Sequence, residues 1–93
     1  MVIGKKELQM PEITRFYGIV IKMYFSQSEH GMPHFHALYG EHVGVFSIEP
    51  MEMIEGDLPL RAQHLVRDWG ALYKDELSRM WSTQVFKRLP GLE

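Results

Sequence analysis

The spacing of hydrophobic residues changes part-way along the chain, from a period of two to a period of three or four. Residues 13–25, ITRFYGIVIKMYF, are dense in β-branched and aromatic side chains, and this composition predicts a strand. If this segment forms one strand, the more apolar of its two faces is assigned to the core. That face carries Ile13, Arg15, Tyr17, Ile19, Ile21, Met23 and Phe25. The other face carries Phe16, Gly18, Val20, Lys22 and Tyr24. Gly18 is expected to mark a bulge or a bend in this strand.

Shorter strands follow a polar loop at residues 26–33. Residues 34–39 and 43–49 are predicted to be strands, joined by a short turn at residues 40–42, and a weaker strand is expected at 51–54. Connections of this length predict an antiparallel meander.

The rest of the chain has the spacing of one amphipathic helix. Asp57 is predicted as its N-cap, with Pro59 in the first turn, and Gly70 as a point where it divides. Leu89-Pro90-Gly91 is expected to end it. Steps of three and four connect the apolar positions, which are Ala62, Leu65, Val66, Trp69, Leu72, Tyr73, Leu77, Met80 and Trp81.

These elements predict an α+β fold, in which a small antiparallel meander of three to four strands packs on one long C-terminal helix, either continuous or broken at Gly70. We expect an N-terminal extension at residues 1–10, one domain at 11–89 and a tail at 90–93. One helix covers only one face of a sheet, so the second face is expected to be solvated or covered by a partner.

Composition narrows the classes of protein that fit. The 93 residues make one domain, and the absence of cysteine excludes disulfides, thiolate zinc sites and a cysteine nucleophile. No apolar run is long enough for a membrane span, and residues 1–10 lack the apolar region of a signal peptide. We therefore expect a cytoplasmic protein without a membrane role. The net charge of −2 does not favour a nucleic-acid partner.

The histidines of GMPHFHALYG, residues 31–40, are the strongest candidates for function. Strand alternation directs Phe35, Ala37 and Tyr39 to the core. The same alternation makes His34, His36 and Leu38 emerge on the side away from the helix. Residues that could join them from neighbouring strands, depending on the register, are Arg15, Ser47 and Glu49.

Three interpretations of these histidines remain open. His34 and His36 could bind a metal ion, with a third ligand from His30, His42 or a carboxylate. Alternatively, they could act as an acid–base pair with Arg15 or a tyrosine, as in RNA cleavage without metal. In the third interpretation both are structural, packed on aromatic rings or hydrogen-bonded to the loop before the strand. No cofactor is predicted.

Four segments together resemble a known family. They are PEITRFYGIVIKMYF, PHFHALYGEHVGVFSIE, EMIEGDLP and RAQHLVRDWGALYKDEL, which span Pro11 to about Trp81. The combination resembles a small bacterial domain-of-unknown-function family (forty-one-sixty). The resemblance implies a gene arrangement like that of toxin–antitoxin pairs and transfers no catalytic residue. Gly31-Met32-Pro33 departs from the family, which usually has a polar residue and often two prolines there.

The leading prediction is an interaction module, one half of a toxin–antitoxin-like or regulatory pair, that binds a protein partner or a second copy of itself. The alternatives are a histidine-dependent RNase-like toxin and a histidine-ligated metal-binding domain, with an enzyme the less favoured class. Candidate catalytic residues are His34, His36 and Arg15, and candidate metal ligands are His30, His34 and His36. The predicted binding residues are Arg15, Phe16, Tyr24, His30, His34, His36 and Leu38.

Overall fold

The computed structural model describes residues 11–24 and 31–93 of the chain. Its strands are β1 (Glu12–Phe16), β2 (Ile19–Lys22), β3 (His34–Tyr39), β4 (His42–Ser47) and β5 (Glu52–Gly56). Its helices are α1 (Leu60–Leu72) and α2 (Lys74–Thr83). The strands form one sheet in the order β1-β2-β3-β4-β5, and every neighbouring pair is antiparallel. The α+β class and the meander are confirmed, with five strands and two helices in place of three to four strands and one helix.

The extra strand comes from a turn inside the segment that was predicted to be one strand. Tyr17 and Gly18 have φ angles of 50° and 82°, and Phe16 pairs with Ile19 across them. Positive φ at both loop residues is the geometry of a type I′ hairpin, whose twist matches that of the flanking strands. The segment therefore folds back on itself at the glycine that was expected to mark a bend.

This turn corrects the predicted faces of β1. Phe16 lies on the same face as Ile19, is buried, and packs on Trp69 with ring centroids 5.9 Å apart. Arg15 is exposed on the opposite face, and Tyr17 is exposed in the turn. The prediction that placed Arg15 and Tyr17 in the core and Phe16 outside it is wrong, because a single straight strand was assumed. Phe25, the last residue of that predicted strand, lies outside the described residues.

The helical region also differs from the single predicted helix. Its break falls at Tyr73, which ends α1 and precedes α2, rather than at Gly70. The second helix ends at Thr83, where Gln84 adopts a left-handed conformation with φ 58°. None of the helices in the described parts of the chain is long and apolar enough to cross a membrane.

Asp57 is not an N-cap, because α1 begins three residues later with Pro59 at the cap position. Its carboxylate instead accepts the Val43 N–H at 3.2 Å and lies 3.3 Å from Nδ1 of His42. These hydrogen bonds, chiefly the one from His42, lower the pKa of Asp57. Asp57 thus connects the segment before α1 to the first two residues of β4 by hydrogen bonds.

Both helices lie on one face of the sheet, around the fully buried indole of Trp69. Its ring is 5.8 Å from that of Phe35, and its Nε1–H donates to the carbonyl oxygen of Pro90 at 2.8 Å. The Leu89 N–H donates to the Ile13 carbonyl at 2.9 Å. The C-terminal segment therefore runs beside β1 and occupies part of that sheet edge.

Candidate functional site

The face of the sheet opposite α1 and α2 carries the predicted histidines. Side chains directly opposite one another in an antiparallel sheet share a face, so the strand register defines this surface. One cross-strand row consists of Glu12, Lys22, His36, Val45 and Glu55, and the next consists of Arg15, Val20, Leu38 and Val43. We call these two rows together with His34 the open face.

The predicted alternation of β3 is confirmed. Phe35 and Ala37 are fully buried on the helix side, whereas His34 and His36 are half-buried on the other side. Tyr39 also follows the predicted parity but is partly exposed at the end of the sheet. There it lines a cavity of about 460 Å³ beside α1, to which no histidine of the described chain contributes.

A row of aromatic rings runs along the open face. Ring centroids are 4.4 Å apart for Tyr24 and His36, 5.4 Å for His36 and His34, and 5.0 Å for His34 and Trp81. The last contact corrects the expectation that both imidazoles are clear of the helices. Trp81 of α2 reaches the end of the sheet and packs on His34, so His36 is the more central histidine of the open face.

The hydrogen bond of His34 defines which of its ring nitrogens carries a proton. His34 Nδ1–H donates to the carbonyl oxygen of Met32, at 2.7 Å. A carbonyl oxygen only accepts, so the proton of the neutral ring is on Nδ1 and Nε2 has a free lone pair. This bond also fixes the loop before β3 against the ring.

His36 is held in its neutral form by its surroundings. Burial is the main cause of its lowered pKa, the nearby His34 lowers it further, and Glu55 acts in the opposite direction. Its Nδ1 atom is buried and has no hydrogen-bond partner within the described chain. An unsatisfied buried polar atom costs about 1–3 kcal/mol, so within the described chain this nitrogen offsets part of the stabilisation from the packing of the ring.

Arg15 is not brought next to the histidines. It lies on β1, two strands from β3, a separation of about 10 Å from strand spacing alone. Its guanidinium binds the Glu12 carboxylate at 2.8 and 2.9 Å, and this bond lowers the pKa of Glu12. The acid–base set of His34, His36 and Arg15 is therefore not assembled in this structure.

The other predicted binding residues separate into two groups. Tyr24 contacts His36, and Leu38 lies on the open face between Val20 and Val43. Phe16 is buried on the helix side, and His30 lies outside the described residues.

The neighbours expected from register were not the ones found. Ser47 pairs with His34 but is fully buried, and its hydroxyl donates to the Pro50 carbonyl; Glu49 instead binds Lys74 at 3.1 Å. Lys22 and Glu55 occupy the row of His36. The alternation of Val43 and Val45 in the predicted third strand was the available signal for the apolar part of this surface.

The open face supplies only part of a metal site. No group of three histidine, aspartate or glutamate side chains that could hold a metal ion occurs in residues 11–24 and 31–93. Of the candidate ligands His30, His34 and His36, the last two lie on this face, and His30 lies outside the described residues. Zinc sites in proteins ordinarily use three or four protein ligands, so a further ligand would be needed.

The fold and this surface define the class of the protein as a two-layer α+β domain with an open antiparallel sheet face. The family model described as "Domain of unknown function (DUF4160)" matches residues 18–82, and the chain belongs to this family. The family resemblance of the sequence is thereby confirmed. No curated protein and no solved structure matches the chain.

Proposed function

We propose that this domain is a protein-interaction module that binds its partner through the open face. The proposal rests on the observation that the helices cover only one face of the sheet. Both helices lie against Phe35 and Ala37, whereas in the described chain no helix packs on Leu38 and Val43, on the opposite face.

The composition of the open face supports a docking role. A sheet face that is exposed to water is ordinarily polar, with the apolar residues turned inward. Here the centre of the face is aliphatic, with Val20, Leu38, Val43 and Val45 in two adjacent rows. Val43 is 42% exposed, and a partner that covered these four side chains would remove their apolar surface from water.

His36 supports the same role through its polar ring. Its Nδ1 atom has no hydrogen-bond partner in the described domain, and the neutral ring can donate or accept a hydrogen bond. Because Nδ1 is buried, a partner would contact the exposed part of the half-buried ring and not this atom. The ring thus gives the centre of the open face a polar group beside its aliphatic side chains.

We propose a regulatory pair, resembling toxin–antitoxin pairs, as the setting for this module. The support is the family resemblance of the sequence, which implies a bacterial protein encoded beside a second small one. In such a pair the open face is the binding surface.

Co-purification from the native gene context tests the proposal. A tagged chain is expected to retain a stoichiometric protein, either another gene product or an untagged copy of itself. Val43→Asp on the open face should abolish this association, whereas Val85→Asp, at a valine that is 69% exposed elsewhere, should preserve it. Absence of any stoichiometric protein, or equal loss in both variants, would contradict the proposal.

The adjacent imidazoles favour a second candidate, a histidine-dependent RNase-like toxin. His34 has a free basic nitrogen and its ring lies 5.4 Å from that of His36, so two proton-transfer groups share one surface. Expression of this enzyme should arrest growth, and His36→Ala should relieve the arrest while the exposed His64→Ala does not. Normal growth with a high yield of the folded chain would exclude it.

A further inference from the structure

We propose that the partner of the open face is a second copy of this chain. The two sheets pack face to face about a two-fold axis that runs parallel to the strands, between β3 and β4. This inference rests on the proposed function, because it identifies the occupant of the same surface.

Charge complementarity is the first argument. Lys22 on β2 and Glu55 on β5 lie in one cross-strand row, which Glu12 on β1 continues beyond Lys22. Lys22 and Glu55 are equally distant from the line between β3 and β4. A half-turn about that line exchanges their two positions, so Lys22 of each copy lies opposite Glu55 of the other, whereas Glu12 lies beyond the overlapping strands.

The same rotation matches the centre of the face. In the row of Lys22 and Glu55, His36 of one copy lies opposite Val45 of the other. In the neighbouring row, Leu38 lies opposite Val43. The aliphatic centre is thus covered by its own symmetry mate, as an isologous interface requires.

Other symmetric arrangements are disfavoured by the same residues. A two-fold axis across the strands would put Lys22 opposite Lys22 and Glu55 opposite Glu55. Pairing through the edge of β5 would bring Glu52 and Glu55 of two copies together, and like charges across strands are destabilising. The edge of β1 is partly occupied, because its Ile13 carbonyl accepts the Leu89 N–H.

The size of the face fits a reversible dimer. Because the axis lies between β3 and β4, the four strands β2 to β5 overlap their symmetry mates. At about 4.8 Å apart and about six residues long they give a footprint of roughly 19 by 20 Å. Two such surfaces bury about 760 Å² in projection, which is the size of a weak, transient interface. Sheets that pack face to face commonly have their strand directions about −30° apart. If the strands of each copy are inclined to the two-fold axis by half of this angle, the dimer has this packing angle. We expect a dimer with a Kd on the order of 1–100 µM, as for interfaces of modest area.

A charge-exchange experiment tests the axis directly. Sedimentation velocity of the full chain should show concentration-dependent dimers. Lys22→Glu and Glu55→Lys should each raise the dimer Kd at least about tenfold, because each places like charges in contact twice. The double variant restores opposite charges and should return the Kd to within about threefold of the original. Arg67→Glu, an exposed charge reversal on α1, is the control and should leave the Kd unchanged.

The outcomes separate this inference from the proposed function. A chain that stays monomeric at the highest concentration overturns the dimer, as does a dimer that Lys22→Glu and Val43→Asp leave intact. Suppose that both single variants are monomeric and circular dichroism shows that they are folded. If the double variant then does not regain the original dimer Kd, the proposed axis is overturned. If the chain is monomeric but retains a different protein in a Val43-dependent manner, the proposed function stands without the dimer. If it retains none, both are refuted.

Discussion

Replacing His36 with phenylalanine should stabilise the isolated domain, although it changes the central polar residue of the open face. Phenylalanine keeps an aromatic ring of similar size next to Tyr24 and His34, whose ring centroids lie 4.4 and 5.4 Å from that of His36. It removes the Nδ1 atom that is buried without a hydrogen-bond partner in the described chain. The substitution therefore removes the free-energy cost of burying this nitrogen while preserving most of the packing of the ring.

The magnitude follows from the desolvation penalty of that atom. An unsatisfied buried polar group costs about 1–3 kcal/mol, and we expect a net gain of about 1 kcal/mol because the ring is only half-buried. For a domain of this size, 1 kcal/mol corresponds to a rise in Tm of about 4–8 °C. The gain is expected for the monomer and should therefore be measured at low protein concentration.

The pH dependence of stability gives a second, independent readout. Burial lowers the pKa of His36 below its usual value of 6.5, so the unfolded chain binds a proton that the folded chain does not. The free energy of unfolding should therefore increase with pH from the folded pKa up to about 6.5 and then be constant. Below the folded pKa both the folded and the unfolded chain bind the proton, and the free energy of unfolding stays at its lower value. His36→Phe should remove this slope.

Urea unfolding of the wild-type chain and His36→Phe at several pH values measures both effects. His64→Phe is the matched control, because His64 is exposed on α1 and should change neither the stability nor the slope by more than about 0.5 kcal/mol. A loss of 1 kcal/mol or more in His36→Phe would refute the argument from the unpartnered nitrogen. An unchanged pH slope would refute the assignment of the titration to His36.

Three further substitutions test the packing that shapes the sheet. Gly18→Ala should cost about 1 kcal/mol in urea unfolding, because φ is 82° and the added Cβ lies 3.3 Å from Cε1 of Tyr39. Gly44→Ala should cost about 1–3 kcal/mol in the same assay, because its Cβ would lie 2.9 Å from Cγ of Leu58; no loss would mean that Leu58 moves freely. Trp69→Phe removes the donor to the Pro90 carbonyl, and limited proteolysis of the C-terminal segment should become faster than in the wild type; unchanged cleavage would show that this bond does not hold the segment.

The strand with the histidines was predictable because its alternation is unambiguous. Phe35 and Ala37 alternate with His34 and His36, and one parity places both of these apolar side chains against the helices and both imidazoles on the open face. A shift of one residue would reverse every side chain, so the parity is strongly specified. The two-layer architecture was predictable for a different reason, because the spacing of hydrophobic residues changes from two in the strands to three or four in the helices.

The first hairpin could not be predicted with the same rules. Its turn is Tyr17-Gly18, whereas the usual type I′ signal is Asn-Gly or Asp-Gly, and apolar residues adjoin the turn on both sides, Phe16 before it and Ile19 after it. The pairing of Phe16 with Ile19 nevertheless places Tyr17 at positive φ. The helix break at Tyr73 was hidden in a similar way, because Trp69 and Leu77 continue one apolar spacing across it.

The neighbours of His36 depended on strand register, which alternation alone does not provide. The irregularities next to Thr14 in β1 and Phe46 in β4 each shift the pairing of an outer strand. Glu55 reaches the row of His36 through the second of these shifts. The predicted partners do not meet His36, because Arg15 is two strands away, Ser47 is buried beside His34, and Glu49 binds Lys74.

Net charge predicted little about a partner because it averages over the surface. The whole chain carries −2, which argues against a nucleic-acid backbone but does not identify what else binds. The part of the row on β2 to β5 has no net charge, yet the positions of Lys22 and Glu55 define a direction across the sheet. Only the register reveals that direction, and it distinguishes a two-fold axis along the strands from one across them. The choice between these two symmetries is therefore a property of strand pairing, which composition cannot encode.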